Sequence, residues 1–164
     1  MSQSDPTPDL LLVCSSGGHL LQLIALREVW EDVSRLWVTF DKKDSRSLLA
    51  AEDVVYAYGP TNRNFRVEAV KNLVRDTLLA WRVVRRARPA VMLTTGAAVA
   101  IPFAWIAKLH GARVVYIESL TRINDVSLTA RLVGPIADRT YVQWPELCAE
   151  LPNARYVGPV VSLR

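Results

Sequence analysis

"LLLVCSSGGHLLQLIALREVW", Leu10 to Trp30, joins an apolar run to a helix-length amphipathic segment through two serines and two glycines. An apolar run of four or five residues bounded by small polar ones predicts a buried strand, Leu10–Cys14. The leucines and Ile24 that follow predict a helix over His19–Trp30. A strand feeding a helix through a glycine turn is the first half of a βαβ unit, and the same alternation continues down the chain. Further strands are predicted at Arg35–Phe40, Val54–Tyr58, Val91–Thr94, Arg113–Ile117, Arg139–Val142 and Ala154–Val157. Further helices are predicted at Ser45–Ala51, Arg66–Ala87, Ala97–His110 and Val126–Val133. The expectation is an α/β fold, a Rossmann-like parallel sheet with helices on both faces, formed by one domain over residues 10–164 behind a frayed tail, 1–9.

In such folds ligands bind beyond the carboxyl ends of the strands. This makes the strand exits the candidate site. Gly17 and Gly18 after the first strand let the backbone turn and approach a ligand, and the helix N–H groups beyond them favour a phosphate. A plain tight turn has the same residue requirement. The GxGxxG of dinucleotide sites and the GxxxxGK[ST] of nucleotide triphosphatases are both missing. His19, at the helix start, has the chemistry of an acid or base near neutral pH, or of a packing residue. Thr94-Thr95-Gly96 opens the helix at Ala97 and repeats the logic of small residues at a helix N-terminus. Glu118 leaves the strand RVVYI as a candidate base, a hydroxyl holder, or the partner of Arg122 in an ion pair.

The segment Arg66–Ala87 carries Val67, Val70, Val74, Leu78 and Trp81 at helical spacing, with Arg66, Lys71, Arg75, Arg82, Arg85 and Arg86 around them. The pattern predicts a core-facing stripe with a solvated basic side, and it also fits a helix lying on an anionic membrane. The five tryptophans are expected in the core.

The 164 residues are 51% hydrophobic and 22% charged, a globular composition. The net charge of +4 favours anionic partners, and no aromatic-basic motif points to nucleic acid. Two cysteines, Cys14 and Cys148, provide neither a disulfide framework nor metal-ligand spacing, so no metal is expected and a reduced, cytosolic setting is. The longest apolar run, Ala97 to Ala107, falls short of the roughly 20 residues that cross a bilayer.

CSSGGHLLQL, TTGAAVAIPFAWIAKLHGARVVYIES, LTRI and DRTYVQWPEL, in that order, resemble the acceptor-side subunit of two-component glycosyltransferases. That family includes the partner of a catalytic sugar-nucleotide subunit in N-glycan assembly and bacterial counterparts such as PssD of exopolysaccharide synthesis. It is similar to the amino-terminal half of MurG, a two-domain GT-B enzyme. The resemblance, over about Leu10 to Val160, implies an inverting transfer from a UDP-sugar, needing no cofactor. The acceptor it implies is a polyprenyl-diphosphate-linked saccharide, and the place a peripheral one at the inner face of the plasma membrane. It implies that Gly17, Gly18 and His19 face the acceptor's diphosphate and that Thr95, Gly96 and Glu118 line the same cleft. The residues themselves make His19 and Glu118 the catalytic candidates, for base or acceptor positioning, and add Ser16, Ser119 and Arg122 to the acceptor-binding set. The sequence given ends six residues after Gly158, where a single-chain GT-B enzyme would enter its second domain, so a partner chain is expected to hold the sugar nucleotide. Two other readings are a non-catalytic scaffold that activates a glycosyltransferase at the membrane and a self-sufficient nucleotide-binding enzyme.

Overall fold

The computed structural model describes residues 7–59, 66–151 and 153–161. Seven strands, β1 Leu10–Val13, β2 Arg35–Phe40, β3 Val54–Ala57, β4 Val91–Thr94, β5 Arg113–Ile117, β6 Arg139–Val142 and β7 Ala154–Tyr156, form one sheet. Every pairing is parallel, and the strand order is β3-β2-β1-β4-β5-β6-β7. All four residues of β1 are buried, because β1 has a strand on each side and helices over both faces. The strand starts at the expected residue, and Asp9, expected in the tail, is tied to the sheet: its carbonyl accepts the N–H groups of Ala90 and Val91, and its own N–H donates to Ser34 Oγ. Residues 1–6 lie outside the described residues.

The helices are α1 Gly18–Ala25, α2 Arg27–Trp30, α3 Lys43–Leu48, α4 Arg66–Ala87, α5 Ala100–Leu109 and α6 Leu128–Val133. Leu20, Leu23, Trp30 and Leu49 cover the sheet face made by Leu10, Leu12 and Trp37. Ala80, Val84, Phe103 and Ala130 cover the opposite face, against Leu11, Val13 and Val114. Helices therefore flank the sheet on both sides, as expected.

Several helix boundaries differ from the sequence expectation, α6 by starting at Leu128 instead of Val126, and three of the differences have a visible local reason. His19–Trp30 is two helices broken at Leu26, where Leu26 N–H closes a tight turn on the Leu23 carbonyl and the Trp30 indole N–H donates to that same carbonyl at 2.8 Å. The indole is fixed there by an edge-to-face contact with Trp37, 5.2 Å between ring centroids. The α3 helix begins two residues early because Ser45, in its first turn, donates to the Phe40 carbonyl and accepts from Lys42 N–H. The helix expected from Ala97 begins at Ala100, since Gly96 and Ala97 both have positive φ, 104° and 76°, which no α-helix accommodates.

The largest departure concerns α4. The stripe expected in the core faces outward instead: Val70, Val74, Leu78 and Trp81 are between 49% and 61% exposed. The buried side is Asp76, Ala80, Val83, Val84 and Ala87. Small side chains at these positions let the helix settle close to the sheet and α5. The side chain of Val67 lies outside the described ones.

Candidate functional site

The chain passes from β1 outward through β2 to β3, then returns to lay β4 on the other side of β1, pairing Val13 with Thr94. Strand order reverses between β1 and β4, and in sheets of this kind the ligand crevice is expected beyond the carboxyl ends at that point. The two small-residue loops singled out in the sequence leave the sheet at this one point, and they are bonded to each other. His19 Nδ1 lies 2.7 Å from the Thr95 carbonyl oxygen, and Thr95 Oγ1 donates to the His19 carbonyl at 2.8 Å. A carbonyl only accepts, so Nδ1 carries the proton and Nε2 keeps a free lone pair. Burial is the main cause pulling the His19 pKa below its ordinary 6.5, so the ring is neutral at pH 7.

Gly96 fits between this ring and the next layer. A Cβ there would lie 3.2 Å from Tyr116 Oη and 3.4 Å from His19 Cε1, on a backbone with φ of 104°. Gly96→Ala is therefore expected to cost about 1–3 kcal/mol in strain and crowding and to tilt the imidazole. A thermal melt unchanged from wild type would contradict this.

Glu118 has no exposed surface. Its Oε1 accepts from Ser119 N–H at 2.7 Å and from Tyr116 Oη at 3.2 Å, and its Oε2 accepts from Ser127 N–H at 2.8 Å. Burial also raises the Tyr116 pKa, which keeps the phenol protonated and a donor. Ser127 caps α6 by accepting from Ala130 N–H. The two carboxyl-or-imidazole candidates thus separate: among the described residues His19 Nε2 has no partner, while Glu118 is turned inward and holds the 119–127 loop. The ion pair considered between Glu118 and Arg122 gives way to one between Arg122 and Asp125, at 3.4 Å. Ser119 is buried with its hydroxyl on Thr121 Oγ1, while Arg122 is partly exposed at the loop's edge.

The glycine loop is more constrained than its composition indicates. Gly17 has φ of 79° and its N–H donates to Asp44 Oδ2 at 2.7 Å. Gly18 is exposed and faces open space, and Ser16 is partly exposed beside it. Leu21 N–H bonds the Gly17 carbonyl, leaving the first N–H groups of α1 at the crevice.

Tyr116, Ser127 and Gln22 were not anticipated as parts of this site, whereas Gln143 stands at an expected strand exit, after Arg139–Val142. Buried Gln22 accepts from Leu120 N–H and donates to the Gly18 carbonyl, tying the glycine loop to the loop after β5. A polar residue inside LLQLIAL was the available signal, since a buried amide needs partners. Gln143 donates to the Glu118 carbonyl and accepts from Val160 N–H. Among the described residues no group of three His, Cys, Asp or Glu side chains is placed to hold a metal ion. A cavity of about 740 Å³ lies at the other end of the sheet, between Arg35, Val55, Leu79 and Arg82, remote from these groups.

A family model described as "Oligosaccharide biosynthesis protein Alg14 like" matches residues 10–160. The chain belongs to the Alg14 family. It is 27% identical over 172 residues to the UDP-N-acetylglucosamine transferase subunit ALG14 of Candida albicans, covering 93% of this chain and 78% of the relative. The subunit of the same name from Eremothecium gossypii is 32% identical over 183 residues, covering 95% and 81%. The one from Mus musculus is 23% identical over 179 residues, covering 93% and 82%. Among solved structures, Acinetobacter baumannii MurG superposes with a TM-score of 0.74 at 17% identity, over 96% of this chain and 47% of that one. A UDP-N-acetylglucosamine 2-epimerase from Rickettsia bellii gives 0.69 at 14% identity, over 92% and 44%. This Alg14-family chain therefore has the fold of one half of a GT-B glycosyltransferase and spans a little under half the length of those two proteins.

Proposed function

We propose that this chain is the acceptor-binding subunit of a heteromeric, inverting glycosyltransferase in polysaccharide or glycan assembly. A partner chain holds the UDP-sugar, with N-acetylglucosamine the first sugar to try because the relatives carry it in their names. This chain holds a polyprenyl-diphosphate-linked saccharide at the inner face of the plasma membrane. The acceptor hydroxyl oxygen attacks the anomeric carbon of the donor, its proton passes to His19 Nε2, and UDP leaves with the electrons of the broken glycosidic bond. The N-terminus of α1 and the Arg122 guanidinium offer positive charge to the acceptor's diphosphate. Thr95 and Gly96 set the ring, Glu118 and Ser119 set the loop that carries Arg122, and Ser16, Gly17 and Gly18 form the wall in front. Gripping two substrates from opposite walls supplies several kcal/mol of the barrier reduction.

The observation that carries this reading is the bond from His19 Nδ1 to the Thr95 carbonyl at the sheet's switch point, which aims a neutral imidazole with one nitrogen free. The test is a transfer assay on a synthetic prenyl-diphosphate sugar, with this chain alone and with the co-expressed sugar-nucleotide-binding subunit. Transfer is expected only from the pair. Full-rate transfer by the isolated chain would overturn the two-chain reading.

A further inference from the structure

Given the transferase reading above, we infer that Gln22 and Trp144 are positioning residues for the acceptor: together they grip Leu120 and so fix the loop that carries Arg122 relative to His19. Residues 118–127, between β5 and α6, lie outside every helix and strand. The start of this loop is nevertheless held by side chains from two distant elements. Gln22 Oε1, on α1, accepts the Leu120 N–H at 2.9 Å, and Trp144 Nε1, just past β6, donates to the Leu120 carbonyl at 3.0 Å. Beside Trp144, Gln143 Nε2 donates to the Glu118 carbonyl at 3.2 Å. The strands β1 and β6, which lead to these side chains, are on opposite sides of β5 in the sheet. Both backbone polar groups of Leu120 are thus taken, one from each direction.

The core does not need an amide at position 22. Gln22 is 7% exposed and neighbours the buried Leu20 and Leu23 on α1. An apolar side chain of the same length would fill that space without the cost of taking an amide out of water. What explains the amide is what its two ends hold. Nε2 donates to the Gly18 carbonyl at 3.2 Å, in the turn that carries His19, while Oε1 holds Leu120. One side chain therefore makes the glycine loop and the loop after β5 a single unit.

Arg122 follows two residues after Leu120, and its N–H closes a turn on the Ser119 carbonyl at 3.0 Å. That turn hangs from the gripped residue, so the guanidinium goes where Leu120 goes. Besides burial, the Arg122 cation lowers the His19 pKa, which places the two groups in one another's field. His19 takes the hydroxyl proton and Arg122 meets the diphosphate, so the spacing between them has to match one acceptor. A loop already held in place spares the acceptor the cost of ordering it, and the benefit falls on KM.

The test uses the reconstituted pair of full chains with a synthetic prenyl-diphosphate sugar, and follows hydrogen exchange of the Leu120 amide in parallel. Gln22→Met keeps the length and removes both hydrogen bonds, while Trp144→Phe keeps a ring and removes the donor. Each is expected to raise KM for the acceptor about five- to tenfold with kcat within about twofold of wild type, the reverse of what loss of the base does. Each should also speed Leu120 exchange at least about tenfold. Trp144 is partly exposed, so Trp144→Phe carries the prediction even where Gln22→Met does not fold. The double variant should raise KM by less than the product of the two single effects, because both grips act on one residue. A wild-type pair that transfers no sugar overturns the transferase reading. In a pair that does transfer, variants that keep the wild-type KM, lose kcat in its place, or exchange Leu120 at the wild-type rate overturn the positioning role alone. So does a double variant showing the full product, since the two side chains would then act at independent places.

Discussion

His19→Ala is expected to lower kcat of the reconstituted pair by about 10²–10³-fold, within the range that loss of a positioned general base produces. KM for the acceptor should change little, because the ring meets the reacting hydroxyl rather than the diphosphate. The geometry gives the reason for the size. Thr95 fixes the tautomer from behind, the space at Gly96 admits the ring, and burial keeps it unprotonated, so the free nitrogen is available with no prior deprotonation. The wild-type pH profile follows with its sign. Burial lowers the folded pKa below 6.5, so kcat should hold down to that pH and fall on an acid limb centred below it. Stability should change in the same window: below 6.5 the unfolded chain takes up a proton that the folded chain refuses, and acid therefore favours unfolding. In His19→Ala both effects should disappear. A variant that keeps transfer within threefold of wild type would leave the scaffold reading, in which the glycine loop has no part in the chemistry.

The seven strands were legible because a parallel sheet covered on both faces requires uninterrupted apolar runs, and LLLV, RLWVTF and RVVYI are such runs between breakers. Helix ends were less so. The break at Leu26 depends on where the Trp30 indole goes, which Trp37 on another element decides. On α4 two stripes share the helical period, one of large residues and one of alanines and valines. Periodicity alone does not say which of them meets the sheet. In the site, His19 and Thr95 were each visible as strand-exit residues, but their bond depends on β4 returning to the side of β1. Glu118 was visible as a carboxylate and its direction was not: a residue at a strand exit can face the crevice or fold back, and the choice was made by donors at Tyr116 and Ser127 that no motif marks.

That inward turn gives Glu118 the second large effect, and it is on folding. Glu118→Ala removes the acceptor of the Ser119 and Ser127 N–H groups and of the Tyr116 hydroxyl in a region closed to water. Each unsatisfied buried donor costs about 1–3 kcal/mol, and some relaxation of the loop is inevitable, so a loss of about 3–5 kcal/mol is expected. For a domain of this size, whose whole stability is of order 5–15 kcal/mol, that corresponds to roughly 10 °C or more in Tm. Glu118→Gln keeps one acceptor oxygen but aims an NH₂ at a backbone donor, and should fall in between. Tyr116→Phe removes one donor and leaves the carboxylate two, so it should cost only about 1 kcal/mol. The order Tyr116→Phe, Glu118→Gln, Glu118→Ala in melting temperature is the signature of a carboxylate that organises a loop. A Glu118→Ala protein that melts with wild type yet transfers no sugar would instead return Glu118 to the reacting atoms.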